Sequence, residues 1–281
     1  MKKVAVITAI LGNYEKTCKQ FVPQTVDTDF ICFTDNPSIE NNGWLIDTTP
    51  YYRTHPSELD TGYFINSIDK VDELKMYSNS HTFNLAKYYK QAWYNIPRLK
   101  DYDVVIWIDG SIEITSEKVA EYMLELCPTY GIVSWHHEMR GGNLIWEVEA
   151  SYLPRYHFRE YLEQRQPYQD VVRQYHEYIE DGFEEGYFRD IYPRPEGRGR
   201  GDHFGVWETG FVAFDNRLPE VKSFMDIWYL QTLKYTTQDQ VGFVKAAWDS
   251  KLVPYTLPDA ILGGNHPHVE TDAFKVHSHG T

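Results

Sequence analysis

Asp109 ends the apolar run Val104-Val-Ile-Trp-Ile108, is followed by Gly110 and Ser111, and is the residue of this chain best placed to do chemistry. A buried strand that stops at a carboxylate puts a hard oxygen ligand beyond the strand's carboxyl end, where open α/β sheets bind their ligands. Such an oxygen suits a divalent cation that also takes substrate phosphates. Asp-Gly is equally a turn signal, so this segment alone leaves an Asx-type turn as the alternative.

Further residues could act with it. Lys87 and Lys90 lie three apart on one face of a helix that precedes the Asp109 strand, a sensible place for cations that neutralise a diphosphate. Glu208 stands at the start of an apolar strand, where it can hydrogen-bond a sugar or act as a base. Thr237-Gln-Asp-Gln240 reads as a capping box with Thr237 as N-cap and Gln240 as its reciprocal partner. That leaves Asp239 projecting from a helix N-terminus, kept ionised by the dipole and available as a base. Thr8, Ala9, Gly12 and Tyr14 follow or end the first strand; small residues there admit a base or ribose, and Tyr14 can stack on it. The segment holds no Gly-x-Gly-x-x-Gly or P-loop pattern, so no dinucleotide or ATP site is supported. His277 and His279 alternate along an extended segment, as metal ligands beside Asp109 would, with a loose tail as the rival reading.

Positioning these groups requires strands alternating with helices. Continuous β-branched runs predict strands at Lys3 to Ile10, Asp29 to Thr34, Val104 to Ile108, Gly131 to Trp135 and Val206 to Phe214. Helices are expected over Thr82–Ile96, from Ser116 as N-cap to Cys127, within 150–181 with a break near Pro167, and over Leu218–Lys234 and Gln238–Trp248. The alternation predicts an α/β fold with a largely parallel sheet. Residues 193–202, Pro-Arg-Pro-Glu-Gly-Arg-Gly-Arg-Gly-Asp, form a glycine-rich basic loop, read either as solvated or as a lid over phosphate or acceptor.

Composition sets limits. A chain of 281 residues with 42% hydrophobic and 24% charged residues is an ordinary globule with a substantial core. A formal net charge of −14 argues against a general nucleic-acid binder, whose partner demands a basic surface. The aromatic share of 16%, with 22 Tyr and 8 Trp, suits a core and also a carbohydrate site. No apolar stretch approaches the length needed to span a bilayer, and the short broken run after Met1 is read as a strand, not a signal peptide. Cys18, Cys32 and Cys127 are odd in number and lack metal-ligand spacing, which fits a reducing, cytoplasmic location without a disulfide framework. No linker or repeat is visible, so one domain is expected over 1–281, with a nucleotide-binding half to about residue 115 and an acceptor half after it.

Taken in order, Val6-Ile-Thr-Ala9, Gly12-x-Tyr14, Cys32-Phe-Thr-Asp-Asn36, Lys87, Lys90, Trp107-Ile-Asp-Gly-Ser111, His137-x-x-Arg140, Glu208-Thr-Gly210 and Asp239-Gln240 resemble a family of glycosyltransferases of plants and microbes catalogued as a domain of unknown function. The order is also similar to the glycogenin and lipopolysaccharide galactosyltransferase group. The resemblance implies the GT-A fold, a Rossmann-like mixed, mostly parallel sheet flanked by helices, in which an Asp-x-Asp motif and a C-terminal His hold Mn²⁺ or Mg²⁺. This chain departs from it at Ser111, where the second Asp of the motif stands.

Carried over residue by residue, the resemblance places Thr8, Ala9, Tyr14 and Asp35 on the uridine and Lys87 and Lys90 on the diphosphate. Asp109 falls on the metal, with Gly110 and Ser111 beside it, and His277 or His279 completes the site. Trp135, His136 and Arg140 would border the sugar and acceptor, and Trp207 and Gln240 are placed with them. The implied reaction moves a sugar from a nucleotide-diphosphate sugar, a UDP-sugar, to a glycan hydroxyl, with Asp239 and then Glu208 as candidate bases of an inverting mechanism. The rival classes are a sugar-phosphate nucleotidyltransferase, which would open with a triphosphate loop absent after Ile10, and a non-catalytic carbohydrate-binding protein.

Overall fold

A computed structural model describes residues 3–12, 14–54, 82–152, 170–191, 204–236, 238–257 and 273–278. The strands are β1 (Val4–Ile10), β2 (Thr28–Thr34), β3 (Leu45–Asp47), β4 (Val104–Ile108), β5 (Ile112–Ile114), β6 (Ile132–His136), β7 (Trp207–Asp215), β8 (Tyr255–Thr256) and β9 (Phe274–Val276). The α-helices are α1 (Thr82–Gln91), α2 (Val119–Tyr130), α3 (Leu144–Tyr152), α4 (Val171–Glu180), α5 (Tyr187–Ile191), α6 (Pro219–Lys234) and α7 (Asp239–Ser250).

Seven strands form one sheet in the order β3-β2-β1-β4-β7-β6-β8. β3, β2, β1 and β4 are parallel, β7 runs against both β4 and β6, and β8 is parallel to β6. The α/β class expected from the alternating pattern is the one found, a mixed and mostly parallel sheet flanked by helices. From β1 the chain steps outward through β2 and β3, then returns to the other side of β1 as β4. This reversal makes a switch point between the carboxyl ends of β1 and β4, where such sheets open a crevice.

β4 is buried along its whole length because both faces are covered. Val105 and Trp107 face a core shared with α1, α6 and α7, while Ile106 and Ile108 face one shared with α2. Period-2 alternation therefore puts Asp109 in step with Trp107, on the side where α1 and α7 pack.

Several local expectations shift. The helix from Thr82 ends at Gln91 and continues as tight 3-10 turns at Trp93–Asn95 and Pro97–Leu99, since Pro97 cannot continue it. The N-cap of α2 is Lys118, not Ser116, whose Oγ instead accepts from the Lys118 N–H at 3.3 Å. α7 begins at Asp239 with Gln238 as N-cap, and the capping box read at Thr237 rests on a residue outside those described. The predicted loop 193–202 and the region around Pro167 also lie outside them. Cys18, Cys32 and Cys127 are buried free thiols.

Candidate active site

Gly110 sits where β1 and β4 end. A Cβ on it would meet Ile10 Cγ1 at 3.2 Å and Glu15 Cγ at 3.3 Å, so this position keeps the two strand ends close. The Asp109 N–H donates to Gly210 O at 2.8 Å, which ties the β4 end to β7. Opposite Gly210 the pairing of β6 with β7 jumps between Ser134 and Trp135. Ser134 Oγ fills the irregularity by donating to Glu208 O at 3.0 Å and Phe211 O at 2.9 Å. Irregularities of this kind re-aim side chains beside functional sites. Here Thr209 Oγ1 is brought 3.3 Å from Lys90 Nζ.

Around Asp109 runs a chain of four charged groups. Asp109 Oδ1 accepts from the Trp107 indole at 2.8 Å and from Lys90 at 3.3 Å. Lys90 Nζ also lies 2.5 Å from Asp239 Oδ2, and Lys87 Nζ reaches the same oxygen at 2.8 Å. The two lysines share one face of α1, as their spacing requires. Asp239 is fixed by its own backbone, since its carbonyl accepts from the Trp228 indole of α6 at 2.8 Å. That approach depends on Gly242, where a Cβ would stand 3.0 Å from Gln231 Cβ. Lys90 is buried, with Trp107 and Trp228 ring centroids 5.5 and 6.0 Å from its ammonium.

Electrostatics follow from this packing. Burial alone would favour neutral groups, raising Asp239 and lowering Lys90. The opposite charges outweigh it: Lys87 and Lys90 hold the Asp239 carboxyl far below the usual carboxylate range, and Asp109 and Asp239 push Lys90 up. Asp239 is therefore a firmly ionised counter-ion and a poor proton acceptor.

Asp109 is the solvent-facing end of the chain, with its side chain 43% exposed. Oδ1 is occupied, which leaves Oδ2 for a ligand. One carboxylate oxygen at a strand end fits a hard cation that draws its other ligands from a diphosphate and water. Among the described residues no three His, Cys, Asp or Glu side chains gather as a metal cage. Ser111 is buried, and its carbonyl accepts from the His277 N–H at 2.9 Å, so the C-terminal segment is delivered to the Asp109 turn through the β5–β9 pairing. The His277 ring itself is held 2.7 Å from Glu113 Oε2. His279 lies outside the described residues.

Thr8 and Ala9 lie in the carboxyl-terminal half of β1, with Thr8 paired to Cys32 across the β1–β2 register, and Tyr14 follows the strand. Both Asp35 oxygens accept from the Gly12 N–H at 3.1 Å, fixing a turn in which Gly12 has φ +64°, a region that favours glycine. Thr8 Oγ1 is buried and makes no hydrogen bond.

A second buried cluster lies at the start of β7. Glu208 Oε1 is 3.4 Å from His137 Nδ1, His137 Nε2 is 3.5 Å from Glu147 Oε2, and Arg140 Nε donates to that oxygen at 2.6 Å. Arg140 and Glu208 thus belong to one charged network. Glu147 went unnoticed in the sequence, although an acid inside the apolar stretch Leu144–Tyr152 was its signal. Thr209 and Trp107 were missed as well; Trp107 stands two residues before Asp109, in step with it.

Two expected substrate residues are buried among aromatic rings. Trp207 is 0% exposed, donates its indole N–H to Thr256 Oγ1 at 3.1 Å and packs among Phe188, Phe204 and Phe243. Trp135 is 2% exposed, tilted on Phe211 and edge-on to Phe274. Both side chains are packed into the core. Gln240 is partly buried in the first turn of α7, while the His136 side chain lies outside what is described.

No family model and no curated protein matches the chain. Among solved structures it is similar to core-mannan synthase A from Aspergillus fumigatus in its Mn/GDP form, at 11% identity and TM-score 0.37, covering 87% of this chain and 69% of that one. It is also similar to the mannosyltransferase Ktr4p from S. cerevisiae in complex with GDP, at 12% identity and TM-score 0.42, covering 91% and 67%. The bifunctional glycosyltransferase WbbM matches at 13% identity and TM-score 0.43, covering 92% of this chain and 39% of that one. At such TM-scores no residue role passes from these proteins to this chain. Among the described residues no helix is long and apolar enough to cross a membrane.

Proposed function

We propose that this chain is a GT-A glycosyltransferase that moves a sugar from a nucleotide-diphosphate sugar, read as a UDP-sugar, to a hydroxyl of a glycan acceptor. The observation that carries this reading is the charged chain Lys87–Asp239–Lys90–Asp109 at the switch point between β1 and β4. Thr8, Ala9 and Tyr14 would border the nucleoside on the β1 side, and Asp35 would serve it by holding the Gly12 turn. Lys87 and Lys90 would face the diphosphate. Mn²⁺ or Mg²⁺, held by Asp109 with help from the C-terminal histidine segment, would supply Lewis-acid neutralisation of the departing phosphate.

The work of the protein's own groups is electrostatic. Charge develops on the leaving diphosphate as the glycosidic bond breaks, and ammonium groups already fixed there stabilise it without reorganising. An inverting transfer also needs a carboxylate to take the acceptor proton. Asp239 is held by two ammonium groups, so Glu208 is the better candidate of the two, with His137 Nδ1 3.4 Å from its carboxylate.

Calorimetric titration with UDP and GDP in the presence of Mn²⁺ tests the reading. One nucleotide should bind at micromolar to millimolar concentration, and Asp109→Ala should abolish the binding. No heat from either nucleotide would refute it.

A further inference from the structure

Resting on the crevice being a nucleotide-diphosphate site, we infer that Asp239 sets the charge of that site and so makes nucleotide binding depend on a divalent cation. It is a positioning residue for the two lysines and not the base that deprotonates the acceptor.

The four groups carry two positive and two negative charges, so the cluster is neutral before any ligand arrives. Its members cannot simply reorient to meet a phosphate. The Lys90 side chain is 2% exposed, touches Asp109, Asp239 and Thr209, and is flanked by two indoles. Lys87 is directed to the same Asp239 oxygen, with its side chain 17% exposed. A diphosphate at the Asp109 end adds at least two negative charges beside the buried Lys90 and Asp239, where screening is weaker than in water. The neutral cluster does not balance them, and the ligand must bring a cation. Asp109, the exposed member, is where that cation would enter.

Removing one charged group from a neutral set shifts its balance by a whole unit, and the direction depends on which group is removed. Asp239→Asn leaves the cluster at +1, able to hold a diphosphate without metal. Lys87→Met leaves it at −1, more dependent on metal than before. A residue acting only as a base would leave nucleotide binding and its metal dependence unchanged.

The experiment measures the Kd of UDP and GDP by calorimetry for the full chain, in EDTA and in Mn²⁺, and takes the ratio of the two. We expect Asp239→Asn to shrink that ratio by about tenfold and Lys87→Met to enlarge it by about tenfold, with Asp239→Glu restoring the parent value. Ratios equal to the parent in both variants would overturn the inference. If circular dichroism shows Asp239→Asn unfolded, Lys87→Met decides alone, and an unchanged ratio there overturns it. Failure of the parent chain to bind either nucleotide with Mn²⁺ would instead overturn the nucleotide-site reading and the inference with it, before any variant is made.

Discussion

Lys90 Nζ stands 2.5 Å from Asp239 Oδ2, joining helix α1 to the first residue of α7 through two buried side chains. Leaving a buried charge with no partner costs about 3–5 kcal/mol, but Lys87 still reaches Asp239 when Lys90 is removed. Lys90→Met should therefore lower the unfolding free energy in urea denaturation by less than that, about 1–3 kcal/mol. Lys90→Arg should restore it only in part, because a forked guanidinium does not reproduce one compact ammonium meeting Asp109, Asp239 and Thr209 together. Parent-like stability in Lys90→Met would show the pair to be unimportant.

Acid should find this site early. Asp239 binds its proton more weakly folded than unfolded, so its contribution to stability is fully present above the ordinary carboxylate range of about 4. As pH falls below that range, the unfolded chain takes up a proton that the folded one resists, and this contribution drains away. Asp239→Asn should flatten that part of the stability–pH curve while lowering stability at neutral pH. Parallel curves for the two proteins below pH 4 would contradict the assignment.

Trp207 belongs to the core, and its two truncations should separate packing from function. Trp207→Ala removes a fully buried ring and should cost about 3–5 kcal/mol in thermal or urea unfolding. Trp207→Phe keeps most of the packing and loses the bond to Thr256; it should leave the KM for acceptor within about twofold of the parent, since loss of a neutral hydrogen bond costs only about 1 kcal/mol of stability. A selective rise in acceptor KM would restore Trp207 to the substrate site.

Glu147 receives Arg140 at 2.6 Å and faces His137 at 3.5 Å while only 1% exposed. Glu147→Gln should destabilise by about 3 kcal/mol because the buried Arg140 guanidinium loses its counter-charge, with nucleotide affinity unchanged. A loss of affinity without a loss of stability would place this cluster in the donor site instead.

Much of this frame was legible in the chain. Continuous apolar runs announced β1, β2, β4, β6 and β7, and the abrupt stop at Asp109 marked the carboxyl end of β4. The spacing of Lys87 and Lys90 placed both ammonium groups on one side of α1. What the sequence hid are relationships across long separations. Nothing near residue 239 tells that its carboxylate meets lysines from α1, so a helix-terminal acid read naturally as a free base. The packing of Trp207 and Trp135 was hidden for a similar reason: an indole at a strand end looks the same in sequence whatever it faces, here Thr256 and Phe274. The irregular pairing of β6 with β7, which aims Thr209 at Lys90, leaves only Gly210 as its trace. The pattern Thr237-x-x-Gln240 likewise did not fix the residue at which α7 begins, which is Asp239.

The central claim is sugar transfer from a nucleotide donor, and its most direct test is turnover. A panel of UDP-, GDP- and other nucleotide-sugars, incubated with Mn²⁺ and scored for released nucleotide, should give release from at least one donor. EDTA and Asp109→Ala should each abolish that release. No release from any donor, together with no detectable nucleotide binding, would contradict the account and leave a protein that binds carbohydrate without turning it over.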